Sequence, residues 1–536
     1  MLIAVAIFVV GYIFYGSLIA KKLGIDPKIK TPAYTLRDDV DYIPVRAPVL
    51  FGHHYASIAG VGPIVGPVAG SIFGWVPVFL WVVLGSVFIG AVHDLQALVA
   101  SVRHRAKTIS EILKENVGIS SKKLFAAFAW LAIVLVIAVF AVVISKTFVA
   151  IPTAATAALL ISVLAIPFGY AVYRRGAPLA VTTVVGVALL ALCVWLGFQF
   201  PLRLPETVWV VVLLAYAFLA SALPVWFLLQ PRDYLESFLL YVLLAGAVIG
   251  IFITNPPIQL PAFTAFETGL GWLFPILFVT VACGAVSGFH SIVSSGTTSK
   301  QLSSEAHARP IGYGGMLLEG VLGVIALSAV AILTLDERAA LLKDVGPVGV
   351  FSYGVGGFLE GLGIPLESGK AFAALVVASF ALTTLDTATR LCRFCFQELT
   401  EKEEGKPLTI VEILTNRWVA GAICVVFGAI LALTGYWKLI WPIFGSANQL
   451  MAALALLAGG VWLARLGKSN WFVLYPMIFM LVVTMCALVW MFWKSIEAGA
   501  WLLVIISAVL FILAIALVYV AITSLRAAGK RKPAGG

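Results

Sequence analysis

Runs of about twenty apolar residues, the length that spans a bilayer, recur along this chain with only short polar gaps between them. They predict fifteen helices, at roughly 2–20, 50–70, 75–101, 124–150, 154–173, 178–200, 206–229, 234–254, 271–296, 313–335, 370–391, 418–435, 439–463, 471–493 and 498–525. Segment 347–369 is Gly-rich and too polar to span, and reads as an extramembrane or re-entrant hairpin. The longest polar pieces, 21–48, 103–123 and 390–417, are too short to fold as domains. The pattern therefore predicts an all-α polytopic protein with a single membrane domain over 1–536. Met1–Ala20 has no basic leader or small-residue cleavage site and reads as a first membrane helix.

Composition agrees. The 536 residues are 62% hydrophobic and 11% charged, whereas soluble domains carry about 25% charged residues. The net charge of +10 is explained by loop basicity and not by nucleic acid. With the N-terminus outside, 28 of the 35 Lys and Arg fall in inside loops and the 526–532 tail. Six lie outside, at Arg203, Arg338, Lys343, Lys370, Lys438 and Lys494, and Lys146 sits near the outer end of its helix. That bias predicts a multi-pass protein of the cell inner membrane, N-terminus out, with a cytoplasmic tail at 526–536. Six scattered cysteines include one C-x-x-C, Cys392 and Cys395, with no second pair to complete a zinc site. No metal site or cofactor is expected.

Three segments depart from plain apolar helix. The first is Leu50–Pro67, LFGHHYASIAGVGPIVGP. A helix interrupted at membrane depth frees N–H and C=O groups, which survive only buried in protein or lining a cavity. Transporters aim such half-helix N-termini at anionic substrates and such carbonyls at cations. Close packing through Gly62-x-x-x-Gly66 and Gly66-x-x-x-Gly70 explains the glycines, but not Pro63, Pro67, His53 and His54. A functional break is therefore the reading adopted. The second segment is Cys283–Lys300, CGAVSGFHSIVSSGTTSK. By the predicted topology it runs opposite to the first, as an inverted repeat requires.

The third is Phe380–Arg390, FALTTLDTATR. An intramembrane Asp386 is functional by default, and an i,i+4 pair with Arg390 is the alternative. Asp94, beside His93, and Glu319 read either as proton-relay groups or as interfacial caps. Asn448–Gln449 reads as an interhelical hydrogen-bonding pair.

Taken together, Asp38–Pro67, Ala91–Asp94, Cys283–Lys300, Gly312–Glu319, Thr383–Arg390 and Trp441–Leu450 resemble, in order, the carbon starvation protein A (CstA) family. The resemblance implies a secondary transporter induced on carbon starvation, long described as a peptide transporter and in relatives favouring pyruvate. It also implies kinship with the amino acid–polyamine–organocation superfamily and a leucine-transporter-like 5+5 inverted repeat. The repeats would be 50–254, with an inserted hairpin at 154–200 because six helices stand where four are expected, and 271–463. Helices at 471–525 would be accessory. In that fold a cation lies between the inner halves of helices 50–70 and 370–391, near Ala59 and Gly62.

The function expected is import of a small carboxylate, most of all pyruvate, by H⁺ or Na⁺ symport. A di- or tripeptide substrate is the alternative within the fold. A metalloenzyme using His53, His54, His93 and His290 with Asp94 is the alternative from another class, without an H-E-x-x-H motif behind it. A sensor without net transport is a third. Substrate-binding candidates are His53, His54, Tyr55, Ser57, Gly60, Gly62, Gly66, Ser287, His290, Ser291 and Ser294. Ion-coupling candidates are Ala59, Gly62, Thr383, Thr384, Asp386, Asp94 and Glu319. The partners expected are the substrate and the lipid bilayer, with no nucleic acid. Oligomeric state is not legible in the sequence.

Overall fold

The structure is a computed structural model and describes residues 1–400 and 409–530. Among the described residues the protein is all-α apart from a minimal antiparallel hairpin pairing Glu267–Thr268 with Gly271–Trp272. Among the described residues, eleven helices are long and apolar enough to cross a membrane. A twelfth span arises if Ala47–Ile58 and Gly62–Phe73, bent by 42° at the break between them, are taken together. Glu206–Ala222 and Trp501–Ala516 are shorter apolar helices. The expected tail falls partly outside the described residues, at 531–536.

Two departures from the hydropathy reading change the interior of the protein, and one of them decides the site. The helix expected over 206–229 stops at Ala222, ahead of Pro224, and the next runs Leu229–Thr254 instead of starting at 234. Pro231 is tolerated because the first turn of a helix needs no N–H donor. Arg232 and Asp233, read from sequence as loop, are thus helical, and with Glu236, two residues inside the expected helix, they are fully buried. The second difference is at 347–369. Gly346–Glu360 is a 15-residue helix packed in the protein, preceded by Leu335–Asp344, whose start carries a Thr334–Glu337 capping box.

The core is built around two broken helices that cross antiparallel. Ala47–Ile58 begins beside the end of the second segment, where the Val45 amide donates to the Gln301 carbonyl at 3.1 Å. At the other end Gly70 lies against Val281 and Leu277. The second segment is helical over 273–280, irregular at 281–287 and helical again over 288–301. Helix Leu366–Thr400 packs along Ile119–Ala150 and alongside the first break.

Close approach is why glycine recurs here. A side chain at Gly288 would collide with the Asn448 carbonyl and come within 2.6 Å of the Ala452 amide. Backbone cannot retreat as a side-chain end can, so Gly288→Ala is expected to destabilise by about 1–3 kcal/mol. The check is the melting temperature of the purified protein in detergent. A wild-type melting curve would refute the close approach of helix 288–301 to helix Trp437–Arg465.

Candidate functional site

At the crossing, backbone groups released by the two breaks are matched by side chains from neighbouring helices. In the second segment, Gln449 Nε2 donates to the Phe278 carbonyl at 2.6 Å and Trp81 Nε1 to the Val281 carbonyl at 3.1 Å. Ser86 Oγ donates to the Gly284 carbonyl at 3.1 Å. Asn448 Oδ1 accepts from the Phe289 amide at 2.9 Å, and Asn448 Nδ2 donates to Ser287 Oγ at 3.1 Å. In the first segment, Thr384 Oγ1 donates to the Ser57 carbonyl at 3.2 Å. At the far end of that helix Arg338 donates to the Val68 and Ala69 carbonyls, at 3.2 and 2.8 Å, and to Ser71 Oγ at 2.6 Å. A cation among the last carbonyls of a helix completes hydrogen bonds the helix itself cannot make. The breaks are therefore built features with specific partners.

The two breaks touch. A Cβ at Gly62 would lie 2.5 Å from Cys283 Sγ, and one at Gly60 2.6 Å from Thr384 Oγ1. Gly66 lies against the Thr280 carbonyl, where a Cβ would be 3.0 Å away.

Beside the crossing sits a buried ionic group that the sequence reading did not assemble. Arg232 is surrounded by Asp233, Glu236, Asp386, Thr383 and Tyr216. Its Nη1 donates to both Asp386 Oδ2 and Tyr216 OH. Its Nη2 donates to Asp233 Oδ1 at 2.9 Å and Thr383 Oγ1 at 3.1 Å, and its Nε lies 3.7 Å from Glu236 Oε2. Asp386 thus pairs with Arg232 and not with Arg390. The i,i+4 alternative fails because Arg390 turns to Asp41, with Nη1 donating to Oδ1 at 2.5 Å, and to the Ala220 and Leu223 carbonyls.

His53 joins this group, its Nδ1 being 2.6 Å from Asp233 Oδ2 and its Nε2 3.2 Å from Thr297 Oγ1. The contacts continue through Gln301 Nε2, 2.7 Å from Thr297 Oγ1, and Gln230 Nε2, 2.5 Å from Gln301 Oε1.

A second buried group lies on the other side of helix 47–58. His290 Nδ1 is 3.0 Å from Asp94 Oδ2, His93 Nδ1 is 2.8 Å from Asp94 Oδ1, and His290 Nε2 is 3.3 Å from Glu319 Oε2. His54 Nδ1 is 2.9 Å from Thr298 Oγ1. All of these side chains are buried, so Asp94 and Glu319 are not interfacial caps. Among the described residues, no three or more His, Cys, Asp or Glu side chains are placed to hold a metal ion.

A third ionic group ties loop and helix together where the first broken helix begins. Asp41 meets Arg390, and Arg393 Nη2 at 3.7 Å. Lys300 Nζ sits 3.6 Å above the Phe394 ring. Burial would push the Asp41 carboxyl up, but Arg390, Arg393 and Lys300 outweigh it and hold it below the usual carboxylate range.

The candidate residues therefore do not form one pocket. Ala59, Gly60, Gly62, Gly66, Ser287 and Thr384 line the crossing. His53, Thr383 and Asp386 belong to the Arg232 group. His54, His290, Asp94 and Glu319 form the second group. Ser57 Oγ donates back to the His53 carbonyl at 2.7 Å and lies 3.0 Å from Thr387 Oγ1. Tyr55 OH donates to the Leu318 carbonyl at 3.3 Å. Ser291 Oγ is used within its own helix, on the Gly288 carbonyl at 2.7 Å, whereas the buried Ser294 hydroxyl makes no hydrogen bond among the described residues. The sequence reading missed Arg232, Asp233, Glu236, Tyr216, Gln230 and Gln301. The available signal was Arg232–Asp233-x-x-Glu236, which puts Arg232 and Glu236 on one helix face if the run is helical.

Comparison with known proteins gives a consistent picture. A family described as carbon starvation protein CstA matches residues 1–341 and 334–487. The peptide transporter CstA of Campylobacter jejuni is 34% identical over 558 residues, covering 90% of this chain and 78% of that one. The pyruvate/proton symporter BtsT of Escherichia coli is 32% identical over 578 residues, covering 90% and 80%. Among solved structures, a manganese transporter of Eremococcus coleocola aligns with a TM-score of 0.51 at 12% identity, covering 92% of this chain and 99% of that one. At that identity the likeness is one of fold.

Two stability predictions follow from the ionic groups. Arg232→Met strands Asp233 and Asp386 without their cation and is expected to cost about 3–5 kcal/mol. Arg232→Lys recovers only part of this, because an ammonium cannot reach so many partners from one position. Equal melting temperatures for wild type and Arg232→Met in detergent would refute the assignment. Asp41→Asn leaves Arg390 and Arg393 uncompensated and is expected to cost about 3 kcal/mol. Because the folded-state pKa of Asp41 is depressed, its contribution is complete at neutral pH and fades only below about pH 4. The gap between wild type and Asp41→Asn should therefore stay constant from pH 7 to about pH 5 and narrow only in stronger acid.

Proposed function

Because this chain belongs to the carbon starvation protein CstA family, we propose that it is a secondary transporter importing a small carboxylate, pyruvate first, together with a proton. The observation that carries this reading is the antiparallel contact of two broken helices, at 59–62 and 281–287, flanked by buried titratable groups. Backbone is left irregular at membrane depth where a ligand is to be held, and a coupled transporter needs side chains that change charge away from bulk water. Between the breaks, Ser287, Asn448 and Thr384 offer hydroxyl and amide partners of the kind a carboxylate and a keto oxygen accept from. Helix Gly62–Gly70 starts there without a side-chain cap, and a helix N-terminus favours an anion without a fixed cation.

The proton is preferred to sodium because the buried groups are imidazoles and carboxylates in direct contact, and because the E. coli relative is named a pyruvate/proton symporter. The names of other relatives support short peptides as the second reading. We read 50–254 and 271–463 as the two inverted repeats, with 154–200 inserted, on the strength of the antiparallel crossing. The same reading places the protein in the cell inner membrane with its N-terminus outside. No chemical reaction is assigned to it.

The test is uptake of labelled pyruvate and of a labelled dipeptide by proteoliposomes under an inward H⁺ or Na⁺ gradient. Pyruvate accumulation driven by H⁺ is expected, and accumulation of the dipeptide alone would select the second reading. His54→Ala and Gly62→Leu are each expected to reduce uptake at least tenfold, about 1.4 kcal/mol or more at the transition state, while the protein still reaches the membrane. Wild-type uptake in both would remove the crossing from the pathway.

A further inference from the structure

We propose that the transported proton resides on Glu236, held neutral at the Arg232 group; this rests on the transport reading above and names the group that carries the coupling ion. Thr383 Oγ1 has three close polar neighbours: Arg232 Nη2 at 3.1 Å, Asp233 Oδ1 at 3.1 Å and Glu236 Oε2 at 2.9 Å. Arg232 supplies the hydrogen for the first contact. The hydroxyl has a single hydrogen to give and two carboxylate oxygens to give it to. With both carboxylates ionised, one oxygen–oxygen contact holds no hydrogen between two acceptors. With one carboxylate protonated, each of the three contacts holds one.

Position decides which carboxylate that is. Asp233 already receives Arg232 Nη2 at 2.9 Å and sits 2.6 Å from His53 Nδ1, so both its oxygens have donors. Asp386 receives Arg232 Nη1 directly. Glu236 has the poorest cation contact of the three, 3.7 Å from Arg232 Nε. Its Oε1, like Asp386 Oδ1, is buried without a hydrogen-bond partner among the described residues, but Asp386 has a direct bond from the guanidinium and Glu236 has none. Charge leads to the same group. One guanidinium faces three carboxyl groups in a buried site, and among the described residues His53 and Tyr216 are the other titratable groups directed at it. Even with His53 as imidazolium, an excess negative charge remains buried, and a buried group neutralises sooner than remain ionised unpaired.

In the proton-bound form Glu236 Oε2–H donates to Thr383, and Thr383 donates to Asp233. Loss of the proton returns Glu236 to the carboxylate form, and Arg232 is the cation next to it. Thr383 lies on the helix whose next residue, Thr384, bonds the Ser57 carbonyl beside the first break. The state of Glu236 is thereby one residue removed from the proposed substrate site.

Glu236→Gln tests this, because its amide N–H reproduces the hydrogen of the neutral acid. It is expected to reach the membrane folded and to melt as wild type does. The ratio of pyruvate uptake with an inward proton gradient to uptake without one should fall to unity. Infrared spectra of the purified proteins at neutral pH should show a protonated-carboxyl C=O band in wild type that is missing in Glu236→Gln. A variant that fails to fold, that keeps the wild-type gradient ratio, or whose spectrum retains the full band overturns the assignment. The infrared comparison does not depend on transport, so it still decides the protonation of Glu236 if wild-type vesicles carry neither pyruvate nor dipeptide, the result that would instead sink the transport reading.

Discussion

A guanidinium taken wholly out of water is the constraint around which this molecule is organised. Arg232 cannot be deprotonated in a protein and cannot be left unpaired in one. Its partners must therefore be brought from wherever the chain can supply them. Tyr216 comes from helix 206–222, Asp386 and Thr383 from helix 366–400, and Asp233 and Glu236 from Arg232's own helix. Through Asp233 the group also reaches His53 on the first broken helix. Four helices, 47–58, 206–222, 229–254 and 366–400, are tied to this one group, and the first of them carries a break. Geometry of this kind is specific because a bidentate fork fixes direction as well as distance.

The two breaks obey the same rule applied to backbone. In hydrocarbon an unwound carbonyl or amide has no water to turn to, so each must be met by protein. The donors and acceptors that meet them, Gln449, Asn448, Trp81, Ser86, Thr384 and Arg338, come from neighbouring helices. The glycines let these helices approach closely enough for such short side chains to reach. Glycine and polar residue thus act as a pair at each break: one admits the neighbouring helix, the other uses the proximity.

That division also explains what could be read from the sequence. The all-α class, the run of membrane helices, the broken segments and their opposed directions follow from apolar run length, Gly/Pro content and loop charge, which are local or additive properties. Asp386 stood out because it is a charge inside an apolar run. Its partner did not, since Arg390 is close in sequence and Arg232 is not. The Arg232 group was misread because hydropathy treats every charge as solvated. Arg232 and Asp233 were read as loop, whereas their pairing with each other and with Glu236 lets the helix start earlier and stay buried. The candidate histidines, serines and threonines were identified, but not their grouping. Grouping depends on which helices become neighbours, and one chain without relatives beside it does not carry that.

The adjacent histidines illustrate the point best. Consecutive residues on a helix are turned about 100° apart, so His53 and His54 cannot face the same partners. The structure uses that angle. His53 points to Asp233 and the Arg232 group, while His54 points to Thr298, on the side of His290, Asp94 and Glu319. Their partners on the second broken helix, Thr297 and Thr298, are themselves consecutive. A rotation or slide of helix 47–58 against helix 288–301 that breaks one histidine–threonine contact must disturb the other, because both pairs share the same two rigid segments. The two buried ionic groups are therefore mechanically tied across the broken helices, and the HH pair is the tie.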